Sequence, residues 1–325
     1  MREDAQILAA LRAASPGLAS GSDLANQLGI SRAAVWSRIE ALRELGYEIA
    51  ATPHRGYRLV SVPDVLHADD LLSRLGGRQI VGRDIQVFKE TTSTSDVVER
   101  LARDGVPEGV AVFAEDQTKG RGRLGRKWIS TTGRGLLFSV LLRPNLAPQG
   151  VTQVMVAAGT AVARAIRKMT GLNPQIKWPN DILIGSKKVA GLLTEMHAEL
   201  DHVKHVCLGI GVDVNQEGRD FPPELRRIAT SLRMESGQAQ KRSDLAVAIL
   251  QELDVDYGRI LGGQFGDLAD EWEGQCATLG RQVRIAQGDR IIEGQAESLD
   301  NEGGLLVRTQ HGRLERIISG DVTLG

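Results

Sequence analysis

Between Lys119 and Arg134 the chain carries six cations, no acid and four interleaved glycines (Gly120, Gly122, Gly125 and Gly133). Such a run suits neither a helix nor a strand, because interior glycine costs backbone entropy and neighbouring like charges repel. It has to be a loop displayed by more regular elements on either side. Bare backbone N–H groups set among Lys119, Arg121, Arg123, Arg126, Lys127 and Arg134 suit a phosphate. A solvated surface loop or an Arg-Gly stretch that holds RNA would read the same way on charge alone.

Two phosphate-loop fingerprints come close and fail. Gly120-Arg121-Gly122-Arg123-Leu124-Gly125 spells G-x-G-x-x-G. That pattern needs a strand directly before it and a helix directly after it. Here Asp116 to Lys119 intervene, and Trp128 to Gly133 is a poor helix former. A Walker loop requires a Lys-Ser/Thr pair where Arg126-Lys127 stands, and no kinase catalytic loop is present to explain the glycines.

The cationic density is local, since 40 Lys+Arg face 41 Asp+Glu over 325 residues. Balanced charge gives no global drive toward nucleic acid or anionic membrane. The length suggests two or three domains, and 42% hydrophobic residues supply a sizeable core. Met1-Arg2-Glu3-Asp4 does not read as a secretory signal. The uncharged stretch Pro144 to Ala163 holds two prolines and does not read as a membrane span. Cys207 and Cys276 lie far apart, as neutral thiols would in a reducing cytoplasm.

Three patterns follow one another. In residues 1–62, Ile7, Leu8 and Leu11 recur at helical spacing, and Ser22-Asp23 starts a second helix through Leu24 and Leu28. After Gly29, Ser31 caps a third, with Val35, Ile39, Leu42 and Leu45 on its apolar face. Two strands around Thr52 to Gly56 then form a wing, giving a helix-turn-helix with a hairpin. Residues 63–271 mix strands (110–114, 136–142, 182–184, 189–196 and 203–214) with helices at 151–169 and 243–261. The first helix places Val154, Ala158, Val162, Ile166 and Met169 on one face; the second turns Leu245, Ile249 and Leu253 inward. Residues 272–325 read as five short strands separated by turn signals, a small β-barrel.

A second polar motif is Lys177-Trp178-Pro179-Asn180-Asp181, followed by Ser186 to Gly191. Lysines and an aspartate at strand ends suit a bound anion, and Trp128 and Trp178 suggest apolar walls around a small ligand. His197, His202 and His205, with Glu195, Glu199 and Asp201, fit no metal-ligand spacing and read better as an exposed hairpin.

Taken jointly, these residues resemble the biotin protein ligase family, in its bifunctional form that also represses the biotin operon. Gln117 to Trp128 looks like the family's signature loop. Lys177 to Asp181, Lys188-Val189-Ala190-Gly191, Gly209 to Val212 and Ala229 to Leu232 are similar to its later motifs, in order. Ser93-Thr94-Ser95 is similar to an early Ser-Thr-Asn pattern, with Ser95 for Asn, and Asp213 stands where the family often has Asn. Ser31 to Val35 and Arg55-Gly56-Tyr57 resemble the repressor's DNA-binding unit, although Trp36 is unusually bulky there.

The resemblance implies an α+β multidomain chain: a winged helix-turn-helix (1–62), a mixed-sheet catalytic domain (63–271) and an SH3-like barrel (272–325). It implies formation of biotinyl-AMP from biotin and ATP, with Mg2+ on the phosphates, then transfer to a lysine of a biotin carboxyl carrier protein of acetyl-CoA carboxylase. Biotin's carboxylate is already ionised at pH 7. The first step therefore needs cations and positioning rather than a general base. Lys188, Arg123 and Asp181 are the implied catalytic residues, with Asp181 orienting the acceptor amine. Ser93, Thr94, Ser95, Gln117, Gly120, Arg121, Gly122, Trp128, Lys177, Asn180, Gly191 and Gly209 complete the implied biotin and adenylate site, with no metal site of the protein's own. Arg32, Trp36, Ser37, Arg38, His54 and Arg55 are the implied DNA contacts, with Arg43 on the same helix. Residues 1–62 hold seven arginines and six acids, so operator DNA near biotin synthesis genes would need a homodimer, formed with adenylate bound. A non-catalytic ligand-sensing regulator, a lipoate or octanoate ligase, and a plain nucleic-acid binder remain alternatives at this point.

Overall fold

The computed structural model describes residues 2–77 and 79–324. Its N-terminal unit runs α1 (Glu3–Ala13), α2 (Gly21–Leu28), α3 (Arg32–Glu44), β1 (Glu48–Thr52) and β2 (Gly56–Ser61). Ser31 caps α3 as its position implies, accepting from the Ala34 N–H at 3.1 Å. The cap of α2 is Ser20 rather than Ser22 or Asp23, because its hydroxyl is the one that accepts from the Asp23 N–H. Ile7, Leu8, Leu11, Leu24, Val35, Ile39 and Leu42 close a separate small core with Tyr47 and Ile49. Leu45 falls outside that core and stands half-exposed, because α3 ends at Glu44 and the chain turns away.

The middle of the chain contains α4 (Ala68–Leu75), β3 (Asp84–Phe88), α5 (Thr94–Arg103), β4 (Val110–Ala114), β5 (Leu136–Leu142), α6 (Thr152–Thr170), β6 (Pro174–Lys177), β7 (Asp181–Ile184), β8 (Lys187–Glu199), β9 (His202–Val212), α7 (Leu232–Ser236), α8 (Arg242–Leu261) and α9 (Phe265–Glu273). Seven strands form one sheet in the order β3-β4-β5-β9-β8-β7-β6. Only β3 and β4 run parallel. Strand β5 is buried throughout, as an apolar run with both faces covered must be. Phe138, Val140 and Leu142 face α6 and α8, while Leu141 faces α5. Met169, expected on the inner face of α6, is exposed near the helix end, where the partner helices no longer cover it.

The C-terminal strands are β10 (Gln282–Gln287), β11 (Arg290–Leu299), β12 (Leu305–Thr309), β13 (Leu314–Ile317) and β14 (Asp321–Leu324). All their pairings are antiparallel, in the order β13-β12-β11-β10-β14, and among the described residues the two end strands do not pair to close a barrel. Val283, Ile285, Ile292 and Val307 belong to the same continuous core as the seven-stranded sheet. Helix α9 runs through residue 271, so the expected boundary there falls inside a helix.

Candidate functional site

A cavity of about 830 Å³ opens beside β8, β9 and β5. Its floor follows from the alternation of side chains along a strand. Ser139 is the one polar residue of β5, and its hydroxyl points to the α5 side of the sheet. There the start of α5 delivers Thr94, whose hydroxyl lies 2.7 Å from Ser139 Oγ, and Ser95, whose hydroxyl lies 3.1 Å away. Gly209 pairs directly with Ser139 on the neighbouring strand and leaves room for these hydroxyls. Ser93 caps α5, and Gln117 Oε1 accepts from both the N–H (2.7 Å) and the hydroxyl (3.1 Å) of Thr94. The result is a buried patch of small donors and acceptors, suited to an uncharged polar head group.

One wall is Trp128. Gly191 and Gly211 lie opposite each other on β8 and β9 and form a bare strip for its indole. A Cβ at Gly211 would stand 2.6 Å from the ring, and one at Gly191 would stand 2.8 Å from it. The backbone N–H of Trp128 donates to the Gly120 carbonyl at 3.0 Å, and Lys188 Nζ sits 5.5 Å over the ring. Gly120 therefore holds the backbone that carries the ring and, of the residues implied for the biotin and adenylate site, is the one that does not line the cavity.

The cations differ in how free they are. Arg121 is engaged by Asp96 and by Glu195 at 3.0 Å. Burial opposes its charge, but these carboxylates more than offset that and hold its proton more firmly than usual. Burial likewise works against the Asp96 carboxylate, and bonds from Arg121 and Thr92 outweigh it and lower its pKa. Arg123 has no ion pair among the described residues. It donates to Asn180 Oδ1 and to the Gly320 carbonyl, each at 3.2 Å, and burial weakens its hold on the proton. A part-buried guanidinium bonded only to neutral oxygens is ready to accept an anion. Lys188 pairs with Asp181 at 2.6 Å, so in this state the candidate amine-orienting carboxylate is occupied. Lys177 and Asn180 complete the lining at the turn between β6 and β7.

Three contributors, Ser139, Gly320 and Asp321, were not singled out in the sequence, and a fourth, Asp213, stood there only as a departure from the family pattern. Ser139 was detectable as a lone hydroxyl in an apolar strand. Asp213 faces Lys188 and accepts from Gln216 Nε2 at 2.8 Å; burial pushes its pKa well above the usual carboxylate range, with Lys188 pulling the other way. Gly320 and Asp321 reach the cavity from the C-terminal sheet, where Asp321 pairs with Arg126. No local pattern announces contacts nearly two hundred residues apart.

The histidine group belongs elsewhere. His205 is buried, with Nε2 3.1 Å from Glu99, and His197 stacks on it at 5.5 Å. The β8–β9 hairpin is thus only partly exposed, because α5 covers one of its histidines. Among the described residues no three His, Cys, Asp or Glu side chains gather to hold a metal. Burial pushes the Cys207 thiol up to about 12 and also raises Cys276.

On the N-terminal unit, Arg32, Trp36 and Ser37 share the exposed face of α3, with His54 and Arg55 exposed on the wing. Two arginines depart from the sequence expectation. Arg38 is turned to Glu3 and Asp4 of α1, and Arg43 donates to the Ile49 carbonyl at 2.9 Å and pairs with Glu40. Nearby acids and the Ile49 carbonyl satisfy both guanidinium groups within the unit.

Residues 87–213 match the model of the biotin/lipoate A/B protein ligase family, 4–58 an HTH domain, and 278–325 the biotin protein ligase C-terminal domain. A bifunctional ligase/repressor BirA of Bacillus spizizenii is 39% identical over 94% of each chain. That of Escherichia coli is 28% identical over 94% of this chain and 92% of its own. A biotin protein ligase from Aquifex aeolicus, solved in complex with biotin and ATP, aligns with TM-score 0.63 at 33% identity, covering 74% of this chain and 98% of that one.

Proposed function

This chain belongs to the biotin protein ligases of the bifunctional ligase/repressor type, and from that premise we infer the reaction and the residues that carry it. The protein is an ATP-dependent biotin–[acetyl-CoA-carboxylase] ligase that also acts as a repressor through its helix-turn-helix. Biotin and ATP bind in the cavity beside β8 and β9. The observation that carries this reading is the meeting, in one cavity, of a neutral polar floor (Thr94, Ser95, Ser139), an indole wall (Trp128) and unpaired Arg123.

In the proposed mechanism the ureido head of biotin rests on Ser93, Thr94, Ser95 and Gln117. Its carboxylate attacks the α-phosphate of ATP, forming the acyl–phosphate oxygen bond and expelling pyrophosphate. ATP is taken as its Mg2+ complex, so the metal arrives with the substrate. Arg121, Arg123, Lys177 and Lys188 offset the repulsion between the two anions, and Asn180 and Gly122 shape the nucleotide side. Arg121 must first exchange Asp96 and Glu195 for the reacting phosphate. The loop from Gln117 to Trp128 then covers the mixed anhydride and excludes water. In the second step a lysine amine of the carrier protein attacks the acyl carbon, AMP leaves, and the amine loses its proton. Asp181, released from Lys188, orients that amine.

Residues 1–62 read operator DNA through Arg32, Trp36, Ser37, His54 and Arg55, as a homodimer that forms when the adenylate is bound. Incubation with ATP, biotin and a carrier domain, with lipoate as competitor, tests the enzyme. Biotin labelling that lipoate does not suppress is expected; lipoylation would reverse the substrate assignment. Fluorescence anisotropy of DNA from upstream of the host's biotin synthesis genes tests the repressor. Tightening that requires biotin and ATP together is expected.

A further inference from the structure

Arg242, at the first turn of α8, is 2% exposed although its side chain is a permanent cation. Its partners come from three separate stretches. Its backbone N–H donates to Asp64 Oδ1 at 3.1 Å, and Nη2 donates to the Asp64 carbonyl at 2.9 Å. Both carboxylate oxygens of Glu115 accept from the guanidinium, the longer bond being 3.3 Å. Nη1 also donates to the Gly135 carbonyl at 3.3 Å. Glu115 Oε1 accepts in addition from the Leu66 N–H at 3.1 Å.

The positions of these partners matter more than their number. Glu115 leaves β4 just before Gln117, and Gly135 enters β5 just after Arg134, so they are the two feet of the cationic loop. Asp64 and Leu66 lie in the segment between β2 and α4, which joins the winged helix to the ligase core. Helix α4 in turn carries α1 through Arg12, which pairs with Asp70 and donates to Ser73 Oγ at 2.6 Å. A buried guanidinium left without partners costs several kcal/mol. A shift of either foot away from the joining segment therefore breaks bonds to a buried guanidinium, which favours movement of the three stretches together.

We propose that Arg242 is a positioning residue that couples occupancy of the ligand cavity to the placement of the winged helix on DNA. The coupling rests on the ligase/repressor reading above. Closure of Gln117 to Trp128 over the adenylate fixes both feet of the loop. Arg242 passes that constraint to residues 64–66, and α4 passes it to α1.

The test measures DNA affinity with and without biotin plus ATP, by anisotropy on the same labelled upstream duplex, for wild type, Arg242→Lys and Asp64→Ala. Lysine keeps the charge but cannot span all three stretches. Asp64 has a 42% exposed carboxylate, so its replacement leaves the fold intact even if Arg242→Lys does not fold. Allosteric coupling is typically 5- to 150-fold, and in the variants the ratio of the two affinities should fall, for Arg242→Lys to within about twofold of unity. Biotinyl-AMP formation reports that each variant is folded. A purely structural role would weaken DNA binding equally in both states and preserve the ratio, which would overturn the proposal. So would variants that tighten as much as wild type. A wild type that does not tighten at all would remove the repressor reading, and the relay with it.

Discussion

Substituting Gly211 by Ala probes the wall of the cavity directly. The added methyl would stand 2.6 Å from Cε2, 2.8 Å from Cζ2 and 3.1 Å from Cδ2 of Trp128. Ordinary contact begins near 3.4 Å, so the ring has to retreat by about 0.8 Å. It cannot pivot freely, because its backbone is tied to Gly120 and Lys188 lies over its face. The retreat carries the indole into the space assigned to biotin. Overpacking of this kind costs about 1–3 kcal/mol, equivalent to a loss of roughly 5- to 140-fold in affinity. Isothermal titration with biotin gives the affinity, and biotin-dependent exchange of pyrophosphate into ATP gives the first half-reaction. The control is Trp128→Ala. In that background the three closest contacts of the methyl are gone, so Gly211→Ala should cost far less, and the double-mutant cycle should be strongly non-additive. Equal losses from Gly211→Ala with and without the indole would refute the argument.

Three further outcomes follow from the site and the core. Arg123→Gly removes the bonds to Asn180 and Gly320 that hold the loop. It should release adenylate early and biotinylate bystander lysines, whereas adenylate retained through gel filtration would contradict a closing loop. Asp181→Asn should slow transfer to the carrier lysine more than adenylate formation; an unchanged transfer rate in single-turnover assays would remove Asp181 from that step. Asp256 is raised to about 6, chiefly by burial and despite Arg164 and Arg259 beside it. Its folded pKa lies above the unfolded value, so its contribution is fully present below about pH 4 and is lost as pH rises through 6, by at most about 3 kcal/mol. The Tm of wild type should therefore fall relative to Asp256→Asn between pH 4 and 7, and a constant difference would show that Asp256 does not titrate there.

Much of this molecule was legible in the order of its residues, for reasons that differ by region. The winged helix was readable because Ile7, Leu24, Val35 and Ile39 recur at helical spacing around a small core and Ser31 is a strong cap. Strand β5 was readable from its unbroken apolar run. Helix α5 was not, because Ser93-Thr94-Ser95 dominates its start and its apolar face is short. Strand β6 is four residues long and begins with Pro174, so periodicity had little to act on. At the site, Lys177, Lys188 and the glycine-rich loop sit in dense local motifs, and the resemblance named them. Asp321 on Arg126 and Arg242 on Glu115 depend on chain crossings that spacing does not encode. The diversion of Arg38 is not legible in the local sequence because Glu3 and Asp4 lie on another helix.

The separate core of residues 7–49 has a bearing on how such a chain changes over evolutionary time. Its apolar side chains form a cluster distinct from the large core shared by the seven-stranded sheet and the C-terminal strands. The winged helix is therefore a cassette whose packing can be rewritten without disturbing the catalytic interior, whereas the C-terminal strands are fused to that interior. What an inherited or exchanged cassette must conserve is polar and small: an arginine for Asp70 and a joining segment that still reaches Arg242. Drift in which genes the protein controls is thus largely uncoupled from drift in what it synthesises.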